Sequence, residues 1–222
     1  LDLLLSGLWL TIKTALLAWV IALIAGTIVG ILRTLPSKTA SWIGFGYVEF
    51  FRNMPLLVQL FLWFFVLPEL LPHAAGLWLK QLPNAPFWTA AIGVGLFMSA
   101  RVAVQLGAGI ASLPRGQKQA ATALGLTTGQ GYRYVLLPMA FRIILPPLTS
   151  EFLNTIKNTS VAITIGLIEL TGQARAMQEF SFQVFEAFTA ATVMYLAINI
   201  VVVTGMRFLE RSLAIPGYIT GK

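Results

Sequence analysis

Apolar runs long enough to cross a bilayer recur along this chain, and they constrain its fold more than any other feature. A crossing helix needs roughly 20 predominantly apolar residues. Runs of that kind cover 8 to about 32, roughly 47–67, 87–110, about 140–170 and 188–208. Only 10% of the 222 residues are charged and 57% are hydrophobic, whereas soluble domains carry roughly 25% charge. A mean hydropathy of +0.81 points the same way. The expected class is an all-α integral membrane protein with about five transmembrane helices. Gly26 and Gly30 form a small-xxx-small pair that lets a neighbouring helix approach the first run closely. The fourth run contains Pro146-Pro147, which lacks two backbone donors and is expected to break the helix. Pro68, Pro72, Pro83 and Pro86 punctuate 68–86, where Trp78 and Trp88 read as interfacial anchors.

Composition also limits the chemistry. With no cysteine there is no disulfide framework, thiolate nucleophile or cysteine metal site, and the single histidine, His73, makes no cluster. No Gly-x-x-x-x-Gly-Lys-Ser/Thr phosphate loop and no Gly-x-Ser-x-Gly elbow occurs. Gly107-Ala108-Gly109 reads as a helix-packing segment. The chain is expected to catalyse nothing and to hold no cofactor or metal of its own. Leu1 is not an initiator methionine, so residues preceding it are an open expectation. The first run reads as a span, not as a cleavable signal peptide.

The longest water-compatible interval between spans, about 112–138, reads as a small helical hairpin. Ser112 and Pro114 supply a start signal, Gly125 a left-handed stop, and Thr127 or Thr128 a cap for a second helix. Its first helix is too short to be stable alone, since isolated helices under about 12–15 residues are marginal. If this loop is cytoplasmic, Arg33, Lys38, Arg52, Arg115, Lys118, Arg133, Arg142, Arg207, Arg211 and Lys222 lie on its side. Lys80 and Arg175 lie opposite, beside Glu69, Glu169, Glu179 and Glu186. That is the positive-inside pattern, with the N-terminus outside and the C-terminus inside. The net charge of +7 is then topology, not a nucleic-acid signal.

The residues of the hairpin resemble a known family. Gln119-Ala120-Ala121, Gly125, Val135 and Leu137-Pro138 stand at the spacing of the EAA motif, Glu-Ala-Ala…Gly…Ile-x-Leu-Pro. This is the cytoplasmic-loop signature of the membrane subunits of bacterial binding-protein-dependent ABC importers. Gln119 replaces the glutamate and Val135 the isoleucine. Arg52-Asn53-Met54-Pro55-Leu56-Leu57-Val58-Gln59, Gly109 through Gln117, and Lys157-Asn158-Thr159-Ser160 resemble segments of polar amino acid permeases. Ser99-Ala100-Arg101-Val102-Ala103, Pro147-Leu148-Thr149-Ser150-Glu151 and Thr164-Ile165-Gly166-Leu167 resemble the glutamate/aspartate subtype most. Val104 and Gly107 depart from the carboxylate and arginine that many members carry.

The resemblance implies a type I ABC importer permease fold, one transmembrane permease domain over 1–222, with a cytoplasmic coupling helix. It implies the inner membrane, a second permease subunit, and two cytoplasmic ATPase subunits that bind the ATP and magnesium. A periplasmic amino-acid-binding protein is implied as well. Arg115, Gln117, Lys118, Gln119, Ala120, Ala121, Leu124 and Gly125 would then contact the ATPase. Glutamate and aspartate are the implied substrates. Glutamine, arginine and histidine stay open, as does a secondary transporter working without an ATPase.

Ionisable residues inside the runs form the second group of candidates. An arginine at a helix centre costs about 2.5–3.5 kcal/mol on insertion scales, so Arg101 must face a wet cavity or a partner. It either meets a substrate carboxylate or pairs with Glu151 or Glu49. Gln105 lies one turn on, on the same face. Glu151, Asn154 and Asn158 recur at helical spacing as a polar stripe, with Lys157 beside them as a pathway residue or a snorkelling cation. Glu49 and Arg52 are expected to pair, Lys13 to snorkel, and the remaining carboxylates to sit in loops.

Overall fold

The computed structural model describes residues 2–213; Leu1 and the tail from 214, with Lys222, lie outside the described residues. Its elements are α1 (Asp2–Thr34), α2 (Lys38–Asn53), α3 (Leu56–Leu70) and α4 (His73–Lys80). There follow α5 (Ala85–Ala111), α6 (Arg115–Ala123) and α7 (Thr128–Ile165), the last ending in a 3₁₀ turn over Thr159–Ile165. Then come α8 (Leu170–Ser181) and α9 (Val184–Leu213). No strand occurs among the described residues. Four helices, α1, α5, α7 and α9, are long and apolar enough to cross a membrane, and α2 with α3 makes a fifth as a bent pair.

The centre of the bundle is the α1–α5 pair. Ala18 and Ala22 of α1 meet Val94, Met98, Val102 and Leu106 of α5, all fully buried, and Ile144 and Leu148 of α7 complete the same core. The approach depends on missing side chains. A Cβ on Gly26 would sit 2.6 Å from Val102 Cβ and 2.7 Å from the Ser99 carbonyl oxygen. The small-xxx-small reading of the first run therefore holds, with α5 as the partner.

Three expectations about helix continuity need correction. The run 47–67 is not one straight span. It is α2 and α3 joined at Met54-Pro55 and bent by 101°. Pro55 biases Met54 to extended backbone (φ −103, ψ 131), which closes α2 one residue earlier. The fourth span starts at Thr128, well before 140, and Leu170 belongs to α8. Pro146-Pro147 does not break α7, whose α-helical part runs unbroken over Leu137–Asn158 with both prolines inside. A helix held by neighbours tolerates such a loss when side chains serve the freed backbone. Here the neighbours are the buried core of α1 and α5, against which Ile144 and Leu148 pack on either side of the proline pair.

Two other prolines are accommodated differently. Leu67 and Leu137, each just before a proline, donate to the carbonyls of Leu62 and Tyr132, five residues back. The resulting π turns, Leu62–Val66 and Tyr132–Leu136, add one residue to the turn that the ring of Pro68 or Pro138 would otherwise clash with.

Filling the α1–α5 contact should separate the pair. Gly26→Ile is expected to destabilise by about 1–3 kcal/mol through overpacking, lowering the thermal midpoint in detergent. An unchanged midpoint would mean the two helices do not approach this closely.

Candidate functional site

A polar pocket of ≈ 240 Å³ opens between the spans, lined by Arg52, Phe97, Arg101, Val104, Gln105 and Glu151. Four residues come from α5, whose register puts Phe97, Arg101, Val104 and Gln105 along one stripe. Arg52 arrives from the last turn of α2 and Glu151 from the middle of α7. The bend after Met54 ends α2 at this depth, so Arg52 reaches the pocket.

Arg101 meets both requirements set by its position: it lines the cavity and has a partner. Its Nη1 lies 3.8 Å from Glu151 Oε2, beyond hydrogen-bond range, and its side chain is 46% exposed against 11% for the glutamate. The guanidinium also lies 5.6 Å from the Phe97 ring centroid. A loose, half-wet pair of this kind is worth no more than about 1 kcal/mol. The geometry therefore leaves most of the five Arg101 donors open to the cavity. Glu151 is otherwise met by Asn154 Nδ2, which donates at 3.5 Å.

The polar stripe of α7 divides. Glu151 faces the pocket, whereas Asn158 Nδ2 turns to Met98 Sδ at 3.4 Å and Lys157 is exposed. Asn154 is half-buried beside Glu151 and does not line the pocket. The expected Glu49–Arg52 pair does not form among the described residues; Glu49 instead accepts from Asn53 Nδ2 at 2.9 Å. Arg52 is left to the pocket. Lys13 lies 5.0 Å over the Trp9 ring and is exposed, as snorkelling requires.

Sequence reasoning missed three positions. Gln59 is 1% exposed, and its Nε2 donates to the carbonyls of Phe51 and Met54, both at 3.0 Å. It closes the C-terminal end of α2 across the bend that carries Arg52. Glu169, expected in a loop, is fully buried. Its carboxylate caps α8 by accepting from the backbone of Thr171 and Gly172, and accepts also from the hydroxyls of Tyr195 at 2.7 Å and Thr11 at 3.3 Å. One carboxylate thereby joins α1, α8 and α9. Tyr132 donates from its hydroxyl to the Thr34 carbonyl at 2.7 Å, tying the start of α7 to the end of α1. Of the three, only Glu169 left a local sequence signal, an acidic residue just ahead of a helical segment.

The hairpin at 112–138 forms as a unit. α6 starts after Pro114 without a side-chain cap, and Ser112 closes α5 instead by donating to the Gly109 carbonyl at 2.8 Å. At its end Leu126 N donates to Ala121 O and Gly125 N to Thr122 O, with Gly125 left-handed at φ 76. These are the two bonds of a Schellman stop. Thr127, not Thr128, caps α7 in a reciprocal capping box with Gln130. Ala121 is buried, whereas Lys118, Gln119, Ala120 and Gly125 are exposed and Leu124 is 79% exposed. Gln117 is intermediate, and the side chain of Arg115 lies outside the described set.

Comparison with known proteins agrees with this architecture. Residues 9–215 match the family described as binding-protein-dependent transport system inner membrane component. The glutamate/aspartate import permease protein GltJ of Escherichia coli (strain K12) is 48% identical over 98% of this chain and 89% of its own. The probable glutamine ABC transporter permease protein GlnM of Bacillus subtilis (strain 168) is 32% identical, over 94% and 92% respectively. A solved amino acid ABC transporter, crystallised with histidines, superposes with a TM-score of 0.80 at 29% identity, covering 95% of this chain and 94% of its own.

The looseness of the Arg101–Glu151 contact is measurable. A double-mutant cycle with Arg101→Ala and Glu151→Gln, read by thermal unfolding, is expected to give a coupling under about 1 kcal/mol. A coupling of about 3 kcal/mol or more would mark a structural ion pair of the buried kind.

Proposed function

This chain belongs to the binding-protein-dependent transport system inner membrane components, and from that premise we propose that it forms the translocation pathway of an ATP-driven importer of acidic amino acids. Glutamate and aspartate are the substrates in this reading. The observation that carries it is Arg101, a half-exposed guanidinium on the wall of a polar pocket within the spans. Guanidinium suits a carboxylate bidentately, and the relationship to GltJ supports the same choice. Gln105 and Glu151, which line the pocket with Arg101, are the further pathway residues proposed; Asn154, Lys157 and Asn158 do not line the pocket and would meet a substrate only in another state of the transporter.

The energy comes from outside the chain. A periplasmic binding protein delivers the amino acid, a second permease subunit completes the pathway, and two ATPase subunits bind ATP and magnesium. Each ATPase receives a hairpin through Arg115, Gln117, Lys118, Gln119, Ala120, Ala121, Leu124 and Gly125. The hairpin end of the bundle is cytoplasmic, the N-terminus periplasmic and the C-terminus cytoplasmic. Closure of the ATPases moves α6. The Schellman stop and capping box carry the motion into α7, and Tyr132 carries it to Thr34 of α1. Because α1 and α5 are packed as one piece, the pair rotates together, and the wall holding Arg101 turns with it.

Uptake of radiolabelled glutamate, aspartate, glutamine, arginine and histidine by the reconstituted complex tests the substrate. The two acidic amino acids are expected to dominate, and Arg101→Ala to lower their uptake while the complex stays assembled. Unchanged kinetics in that variant would remove Arg101 from the pathway. Gly125→Val tests the coupling. No atom lies within 4 Å of the position a Cβ would take there, so the damage comes from left-handed backbone alone. A β-branched residue disfavours that conformation by about 1–2 kcal/mol. ATP hydrolysis is expected to persist with reduced uptake per ATP, and full uptake would contradict the docking geometry.

A further inference from the structure

The largest cavity among those described is separate from the polar pocket and lies where α3, α4 and the first turns of α5 meet; it measures ≈ 740 Å³. Its walls are aromatic and aliphatic: Trp63, Phe64, Phe65, Trp78, Trp88 and Ile92. It sits at the end of α5 away from α6. From Ile92, its last lining residue on α5, to Ala111 at the end of that helix is 19 residues, about 29 Å at 1.5 Å per residue. The groove is built into the fold. α4 is seated against the Pro68 carbonyl through Gly76, and the π turn Leu62–Val66 aims the phenylalanines of α3.

A single ion pair stands at its mouth. Lys80 Nζ donates to Glu69 Oε1 at 2.6 Å, and both side chains are exposed, by 47% and 67%. Exposed pairs of this kind add little stability, so exchanging partners costs little. Trp78, 62% exposed, and Trp88, 43% exposed, line the same cleft, and such side chains gather at membrane–water boundaries. An apolar cleft in a membrane-spanning chain, with adjacent positive and negative groups and exposed tryptophans on its lining, is complementary to a lipid. The acyl part must be apolar and the headgroup must carry both signs.

We propose that this groove binds one phospholipid with a zwitterionic ethanolamine headgroup, drawn from the leaflet opposite the α6 hairpin. The acyl chain lies between Trp63 and Trp88. Lys80 pairs with the phosphate, and Glu69 accepts hydrogen bonds from the primary ammonium. A quaternary choline ammonium has no N–H to donate to Glu69, and a glycerol headgroup has no cation, so both fit less well. That this leaflet is the outer one rests on the transport reading; the site itself does not.

Native mass spectrometry of the intact transporter complex, released from detergent after incubation with dioleoyl phosphatidylethanolamine, phosphatidylcholine or phosphatidylglycerol, tests this. One retained phosphatidylethanolamine per copy of this chain is expected, preferred about fivefold over the other two, the ratio one exposed charge contact supports. Thr89→Trp, which fills the groove from α5, is expected to abolish retention. Lys80→Gln and Glu69→Gln leave the walls intact and are expected to erase the headgroup preference. Equal retention of all three lipids by the unaltered complex would overturn the proposal. So would retention unaffected by Thr89→Trp, or a crosslink from Lys80 to another protein subunit.

Discussion

Inside hydrocarbon every backbone donor and acceptor must find a partner within the protein, and this chain places prolines within or beside three of its spans. The ways it meets that constraint decide where its functional groups end up. Before Pro68 and Pro138 the helix widens to a π turn, keeping the axis continuous while removing the clash. At Pro55 the helix ends instead, and Gln59 reaches back to serve the carbonyls of Phe51 and Met54. That second solution leaves Arg52, at the end of α2, beside Arg101 and Glu151. The polar pocket is therefore a consequence of how one proline was accommodated.

The two buried carboxylates differ in how fully their surroundings serve them. Glu169 accepts from two backbone amides and two hydroxyls, so its acceptor capacity is well used and it pins α1, α8 and α9 together. Glu151 has a 3.5 Å contact to Asn154 and a 3.8 Å contact to Arg101. Loose contacts around buried charge are costly unless water or a ligand supplies the rest. The first carboxylate holds helices in place, and the second faces space that something polar must occupy.

Much of the bundle was legible in the sequence where a local rule decides the outcome. Gly26 and Gly30 announced a close helix contact, Gly125 a left-handed stop and Thr127 or Thr128 a cap, because each depends on a few neighbouring residues. Arg101 announced a cavity or a partner because the cost of burying it allows nothing else. The illegible parts depend on distant residues. Pro146-Pro147 reads as a break by local rules, yet the packing of Ile144 and Leu148 against α5 keeps the helix whole. Met54-Pro55 sits inside an apolar run, so hydropathy hides the bend. Glu169 looks like a loop carboxylate until Thr11, 158 residues away, comes to meet it.

Motion follows from the same distinction between pinned and loose contacts. At the end of the bundle away from the hairpin, α1 is fixed to α8 and α9 by Glu169, and along its length it is fixed to α5 by glycine contacts. At the hairpin end it is held to α7 by the Tyr132 hydroxyl on Thr34. That bond lies at the first residue of the π turn Tyr132–Leu136. In the coupling proposed above, a push on α6 would reach α1 through this contact and act on α1 and α5 together, because the two are packed against each other along their length. The polar pocket lies between α5, which is packed on α1, and α7, which contains the π turn. In that proposal the position of α6 bears on both walls of the pocket.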